Sequence, residues 1–403
     1  MADTQTILEL HRIASVDLHA LWTQFTSTTS QEIECANYSQ KPEVITTGPN
    51  YIDAGGSGAY YLINGSQTNQ LAWDLGTPVP IQVVPQSSNW PFAGWNFGSD
   101  QNPADYYAGG IVEPSANLKE LQHSMDASAY SDNSQRKMVQ TPNGYLFEAY
   151  TDDSHVWVEY SSNQGSSWTL ANNGEPLDYN PVNGSDPGSK CPSLDYDPSS
   201  NDVIVVFQEP YGSTYQIDYA VFVPSGSAYI QDADGPIYTE GSDSYSVNAN
   251  PDFAMYNGFW LIAFEKKSAS GSQKAGINYL FGTFNGLLQS NGTAYSMWDT
   301  DASSTKPSIY GAKTQSGEYA DVAWQEGSGS SSTIRFAELA LNTPTMDTLG
   351  QSTPTTISNS AWPANYQPSL VQEPNSTAWV CWIANNFGRP PMNITLFSTA
   401  PGA

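Results

Sequence analysis

The sequence predicts an all-β fold. The expected form is a six-bladed β-propeller of four-stranded blades, with seven blades as the alternative, and a helical arm at the N-terminus. Three observations point to it. Short apolar runs come in groups of four, and the groups begin at a regular spacing. The 403 residues also include 24 Tyr, 12 Trp, 32 Gly and 27 Pro. Aromatic side chains suit pleated strands, and Gly and Pro suit the turns between them. A chain of this length can build one large all-β unit.

The spacing is the strongest signal. Five segments open alike: "KPEVI" at Lys41, "CPSLD" at Cys191, "NPDFA" at Asn250, "KPSIY" at Lys306 and "QPSLV" at Gln367. "RKMVQ" at Arg136 fits without the proline. From Met138 onward the starts are 54, 59, 56 and 61 residues apart. Each start is followed by a second apolar run, such as "VIVVFQE" (203–209) or "FWLIAFE" (259–265), and by a third, such as "QIDYAVF" or "TIRFAE". Fourth runs such as "PIYTE" complete most units. Four short strands joined by Gly/Ser/Asn turns describe a propeller blade.

The elements follow in chain order. Residues 1–29 form the arm, because Ile7, Leu10, Ala14, Leu18, Leu21 and Phe25 recur at steps of three and four. The arm packs on the outside of the ring or joins subunits. Residues 30–403 form the propeller. The last unit shows three strands, so "SQEIEC" (30–35) is expected to supply its fourth and remove a bare edge. Residues 86–133 read as an insertion over one face, carrying Trp90, Phe92, Trp95, Phe97, Tyr106 and Tyr107. Within it "PSANLKELQHSM" reads as a short helix with Ser115 as its N-cap.

Charge and cysteine content narrow the function classes. The formal net charge is -27, and only 13 residues are Lys or Arg. Such a surface repels phosphate backbones, so nucleic acid is not an expected partner. A Ser-, Thr-, Asn- and Tyr-rich surface resembles that of exported proteins. Sequons begin at Asn37, Asn64, Asn183, Asn291, Asn375 and Asn393. The expected location is extracellular or at the cell surface. "MADTQTILEL" carries acid where a signal peptide has a basic start, which implies a mature form or another export route. No run of about 20 apolar residues is present. Cys35, Cys191 and Cys381 form neither a metal pattern nor a disulfide framework. No cofactor is expected. "DADG" at Asp232 and "DTD" at Asp299 are fragments of a Ca²⁺ loop and more often plain turns.

Candidate functional residues cluster on one expected face. Glu148, Glu209, Glu265 and Glu326 end second strands, and Lys41, Lys137, Lys190 and Lys306 precede first strands. They read either as Lys–Glu ties between blades or as the polar rim of a ligand pocket, with Arg136 beside them. Trp90, Trp95, Tyr106 and Tyr107 read as an aromatic cap for sugar rings, or as packing that fills the pore. A hydrolase would need two carboxylates roughly 5 to 9.5 Å apart. The Glu set and Asp252 are the candidates.

One segment, Ser161-x-Asn163-x-Gly165-x-x-Trp168, together with the six-unit pattern, resembles the sialidase-like, Asp-box β-propellers. The likeness covers most of the chain as architecture but only this box as motif. It implies a fold device on the hairpin between third and fourth strands, with Asn163 in place of the usual Asp, away from the working face. It also implies three substrate-binding arginines. The chain has four in all, Arg12, Arg136, Arg335 and Arg389, and only Arg136 stands at a first-strand start. A true sialidase is therefore not expected. The leading expectation is extracellular glycan recognition without catalysis. A secreted glycoside hydrolase is the runner-up, and a structural surface or virion component assembled through the arm is the third class.

Overall fold

The computed structural model describes most residues between 42 and 399. The longer segments it leaves out are 52–58, 86–90, 108–113, 130–134, 179–187, 240–244, 269–275, 298–302, 342–349, 359–363, 373–377 and 386–392, with both ends of the chain. The expected arm, the 30–35 strand, Lys41 and Trp90 thus lie outside the described residues. The described part is all-β apart from two short 3-10 turns, and none of its helices is long and apolar enough to cross a membrane. The chain divides into two compact units. One comprises residues 1–123 with 173–175, and the other residues 124–172 with 176–403.

The larger unit holds five antiparallel sheets in sequence order. Sheet I contains Met138–Gln140, Leu146–Asp152, His155–Ser161 and Thr169–Leu170. Sheet II contains Lys190–Tyr196, Val203–Tyr211, Thr214–Ser225 and Ala228–Tyr238. Sheet III contains Tyr245–Tyr256, Phe259–Ser268, Gly276–Phe284 and Leu288–Ser290, with Tyr295–Ser296 also on its third strand. Sheet IV contains Ser304–Thr314, Gly317–Glu326, Thr333–Ala340 and Gly350–Gln351, with Thr355–Thr356 likewise on its third strand. Sheet V contains Ala364–Gln372, Ala378–Asn385 and Asn393–Thr399. Apart from Tyr295–Ser296 and Thr355–Thr356, each is a meander in which neighbours in sequence are neighbours in the sheet. This is the blade order expected from the repeat.

Strand alternation explains how the sheets stack. Successive side chains point to opposite faces, so a second strand buried on both sides reads as a continuous apolar run. In sheet II, Val203 and Val205 pack with Phe147, Ala149 and Val158 of sheet I. Their neighbours Ile204 and Val206 pack with Phe253, Trp260 and Ile262 of sheet III. Leu261 and Ala263 of sheet III meet Val322 and Trp324 of sheet IV, and Ala323 of sheet IV meets Val380 and Trp382 of sheet V. Burying a side chain of this kind stabilises by about 1.5–3 kcal/mol. The order I to V is thus built from two interleaved sets of side chains on each sheet.

The smaller unit departs from the expected first blade. Pro42–Thr46 pairs with Gln70–Asp74 rather than with the 59–63 run. Ala59–Ile63 instead pairs with Pro78–Pro85, which continues to Ala104–Tyr107. Gly48–Tyr51 runs parallel to Ser115–Leu118, which is antiparallel to Phe92–Trp95. Phe92–Trp95, Ala104–Tyr107 and Ser115–Leu118 of the 86–133 segment supply strands to these sheets. One expectation is corrected here: Ser115–Leu118 is a strand rather than the start of a helix. Ala116 and Leu118 are buried with Tyr61, Ile81 and Trp95, so strand pairing and core burial override the local helical spacing.

Candidate functional site

The repeat's opening residues create two sets of ties between successive sheets. The residue before each proline takes a left-handed conformation: φ is 56° at Cys191, 50° at Asn250, 53° at Lys306 and 47° at Gln367. Pairing with the second strand shifts register at the same place in all four sheets. These are β-bulges, and a bulge re-aims the backbone N–H out of its own ladder. The second strand of the preceding sheet receives it. Asn250 N–H donates to Gln208 Oε1 at 3.0 Å, Lys306 N–H to Glu265 Oε1 at 2.8 Å, and Gln367 N–H to Gln325 Oε1 at 3.4 Å.

The residue after each proline makes the second set. Phe253 N–H donates to Ser193 Oγ at 3.2 Å, Ile309 N–H to Asp252 Oδ2 at 2.8 Å, and Leu370 N–H to Ser308 Oγ at 3.1 Å. Asp252 is the acidic member of an otherwise Ser set. Its other oxygen, Oδ1, accepts Ser193 Oγ–H at 2.6 Å and Arg136 N–H at 3.3 Å. One buried carboxylate therefore joins sheets I, II, III and IV.

Arg136 is the centre of the cluster. Its Nη1 lies 2.5 Å from Asp195 Oδ2, and its guanidinium carbon sits 4.8 Å from the centre of the Tyr310 ring. Asp195 Oδ2 also accepts Met255 N–H at 2.9 Å. Beside Arg136, Gln135 Nε2 donates to Cys191 O at 2.9 Å and Pro251 O at 2.7 Å. Lys137 Nζ donates to Gln135 Oε1 at 2.9 Å and Pro192 O at 2.6 Å. The Arg136 and Asp195 side chains remain 20% and 12% exposed. The cluster is therefore a sealed polar bed with a partly open cationic top.

Electrostatics agree with this arrangement. Burial opposes the Arg136 charge, but Asp195 and Asp252 outweigh it and hold its pKa above the ordinary value. Burial pushes the Asp252 carboxyl up, opposed by Arg136 and by donation from Ser193 and Ile309. Burial likewise raises the Tyr310 phenol, against the pull of Arg136.

The four glutamates do not form one ring. Glu265 shares a register position with Gln208 and Gln325, whereas Glu209 and Glu326 stand one residue further along. A step of one residue reverses the face of a strand. Glu265 is fully buried on Asn250 and Lys306. Glu326 lies 3.6 Å from Arg335 Nε. Burial raises the Glu326 pKa, and Arg335 opposes the rise. Glu209 accepts Gln216 Nε2 at 2.9 Å. Glu148 is buried opposite Met138 and Glu159.

The aromatic set is also divided. Trp95, 1% exposed, and Tyr106 are core of the smaller unit, with Trp95 Nε1 donating to Gln101 O at 2.9 Å. Tyr107 is 60% exposed. The Asp-box segment lies on the hairpin between the third and fourth strands of sheet I. Ser161 Oγ accepts Asn163 N–H at 3.3 Å and Gly165 N–H at 2.9 Å, and Asn163 Oδ1 accepts Ser167 N–H at 2.9 Å. Gly165 has φ 83°, and a Cβ there would sit 3.8 Å from the Trp168 ring.

Asp195, Ser193, Tyr310 and Gln135 were not singled out by sequence reasoning. The first three lie inside the quoted motifs, at one and three residues after the proline. Strand alternation places those positions on one face, so comparing the repeat starts position by position could have found them. Among the described residues, no group of three His, Cys, Asp or Glu side chains could hold a metal ion.

No family model and no curated protein matches the chain. Solved structures similar to it include a Penicillium chrysogenum α-L-arabinanase complexed with arabinobiose, with 12% identity, 62% of this chain and 76% of that one covered, and a TM-score of 0.40. The fucose-recognising, six-bladed Aleuria aurantia lectin has 12% identity, 91% of this chain and 98% of that one covered, and a TM-score of 0.39. The Streptococcus pneumoniae NanB sialidase has 14% identity, 57% of this chain and 32% of that one covered, and a TM-score of 0.37.

Proposed function

We propose that the stacked sheets form a β-propeller that recognises glycans outside the cell without cleaving them. The observation that carries this reading is the Arg136–Asp195–Tyr310 cluster. A partly open guanidinium and carboxylate can bind sugar hydroxyls in a fixed geometry beside an aromatic ring. Three of the five candidate carboxyls of a hydrolase are engaged in the fold. Both oxygens of Asp252 are hydrogen-bonded, Glu265 Oε1 accepts the main-chain N–H of Lys306, and Glu326 lies 3.6 Å from Arg335 Nε. A glycosidase needs one carboxyl free to give a proton and another free to attack or to activate water. The scarcity of Lys and Arg and the Ser/Thr/Asn-rich composition support export.

The test is a glycan array probed with the full chain, with product analysis of every glycan bound. Binding without products, lost in Arg136→Ala, is the expected result. Cleavage products would establish the hydrolase instead. No binding to any glycan would remove both readings.

A further inference from the structure

In two sheets of the larger unit a pair of carboxyl side chains makes no ion pair among the described residues. In sheet II, Gln216 Nε2 donates to both Glu209 Oε2, at 2.9 Å, and Asp218 Oδ2, at 3.1 Å. Asp218 Oδ1 is buried and has no hydrogen-bond donor among the described residues. In sheet IV, Asp321 and Glu338 stand directly opposite each other on adjacent strands, with Asp321 buried. Opposed residues of an antiparallel pair hold their Cβ atoms about 4.5–5.5 Å apart, and like charges there repel.

Asp218 and Glu209 face sheet I, where Phe147, Ala149, Val158 and Tyr160 pack and where the cation Lys137 donates to Gln135 Oε1 and Pro192 O. From its own sheet, Asp234 adds a further negative charge. Asp321 and Glu338 face sheet V, where Leu370, Ala378, Val380 and Trp382 pack. Tyr310 stands opposite Asp321 on the first strand. The nearby cation Arg136 lies on the Tyr310 ring and is paired to Asp195. Arg335 sits on the same strand as Glu338, but alternation turns it to the other face, toward Glu326.

We propose that each pair is a proton-dependent latch, in which one carboxyl keeps its proton and donates it toward its partner, and that sheets II and IV loosen when that proton leaves. Burial and Glu209 push Asp218 up to about 9, and burial and Glu338 push Asp321 up to about 7. In the unfolded chain such groups lose their protons near pH 4. The folded state therefore binds more protons above about pH 4, and stability falls as pH rises. The fall continues to about 7 for Asp321 and about 9 for Asp218.

The test is urea unfolding of the full chain from pH 5 to pH 8, with Asp218→Asn and Asp321→Asn. Between pH 5 and 7 each substitution should remove a decrease of about tenfold per pH unit in the folding equilibrium constant. Variants with the slope of the unsubstituted protein overturn the latch. A second measurement does not depend on the variants folding. The infrared spectrum of the unsubstituted protein at pH 7 should contain a protonated-carboxyl band that disappears by pH 10. Absence of that band at pH 7 also overturns the proposal.

Discussion

Glu265 Oε1 accepts two donors at once, the N–H of Lys306 on the next sheet at 2.8 Å and the side-chain amide of Asn250 on its own sheet at 2.5 Å. Gln208 and Gln325 do the first of these jobs for their own neighbours. Removing the acceptor leaves a buried N–H unpaired, which costs about 1–3 kcal/mol. Glu265→Ala should lose that much in urea unfolding. Glu265→Gln should lose clearly less, since it restores the group found in the other two sheets. Equal losses would show that the tie does not stabilise.

Asp252 is a harder case, because four sheets depend on it. Asp252→Ala strips the acceptor from Ser193, Ile309 and Arg136 together and leaves the Arg136–Asp195 pair without its second anion. Breaking a buried charge network by one partner costs about 3–5 kcal/mol. Asp252→Ser reproduces the residue that Ser193 and Ser308 supply at the matching position. It should recover part of the loss in the same assay. A Ser variant no better than Ala would overturn the positional equivalence.

Trp95 and Tyr107 should behave oppositely. Trp95 fills the core of the smaller unit, so Trp95→Ala should cost about 3–5 kcal/mol. Tyr107→Ala, at an exposed position, should stay within about 0.5 kcal/mol. Differential scanning calorimetry separates the two outcomes. A mild Trp95 variant would return that ring to the list of ligand contacts.

Gly282 tests the packing of sheet III. A Cβ there would sit 1.8 Å from Gln289 O and 2.6 Å from the Trp260 ring. Neither backbone nor buried indole can retreat cheaply, so Gly282→Ala should cost about 3 kcal/mol. A thermal midpoint equal to that of the unsubstituted protein would contradict the contact.

Sheets I to V were legible because each repeat start imposes its own backbone geometry. In sheets II to V the proline and the bulge recur, and in all five the meander pairs strands adjacent in sequence. The 42–84 segment has similar apolar runs and turns, yet its pairing is not local. Gln70–Asp74 skips back to Pro42–Thr46, and a run pattern carries no information about that choice. The glutamate ring failed for a smaller reason. Aligning "FQE" with "AFE" by their last letter matches Glu209 with Glu265, whereas the bulges match Gln208 with Glu265. The Arg136 cluster was half visible. Arg136 and Asp252 stood out by charge, but Asp195 and Tyr310 were hidden among strand residues of ordinary type.

The left-handed bulges have an evolutionary consequence. What the neighbouring sheet grips at these corners is a main-chain N–H, a group that nearly every amino acid provides. Cys191, Asn250, Lys306 and Gln367 span a thiol, two carboxamides and an ammonium, yet Asn250, Lys306 and Gln367 are held alike. Apart from Asn250, whose side chain also bonds Glu265, substitution at such corners can change what the molecule presents while keeping the main-chain tie, so new binding preferences can be explored one corner at a time.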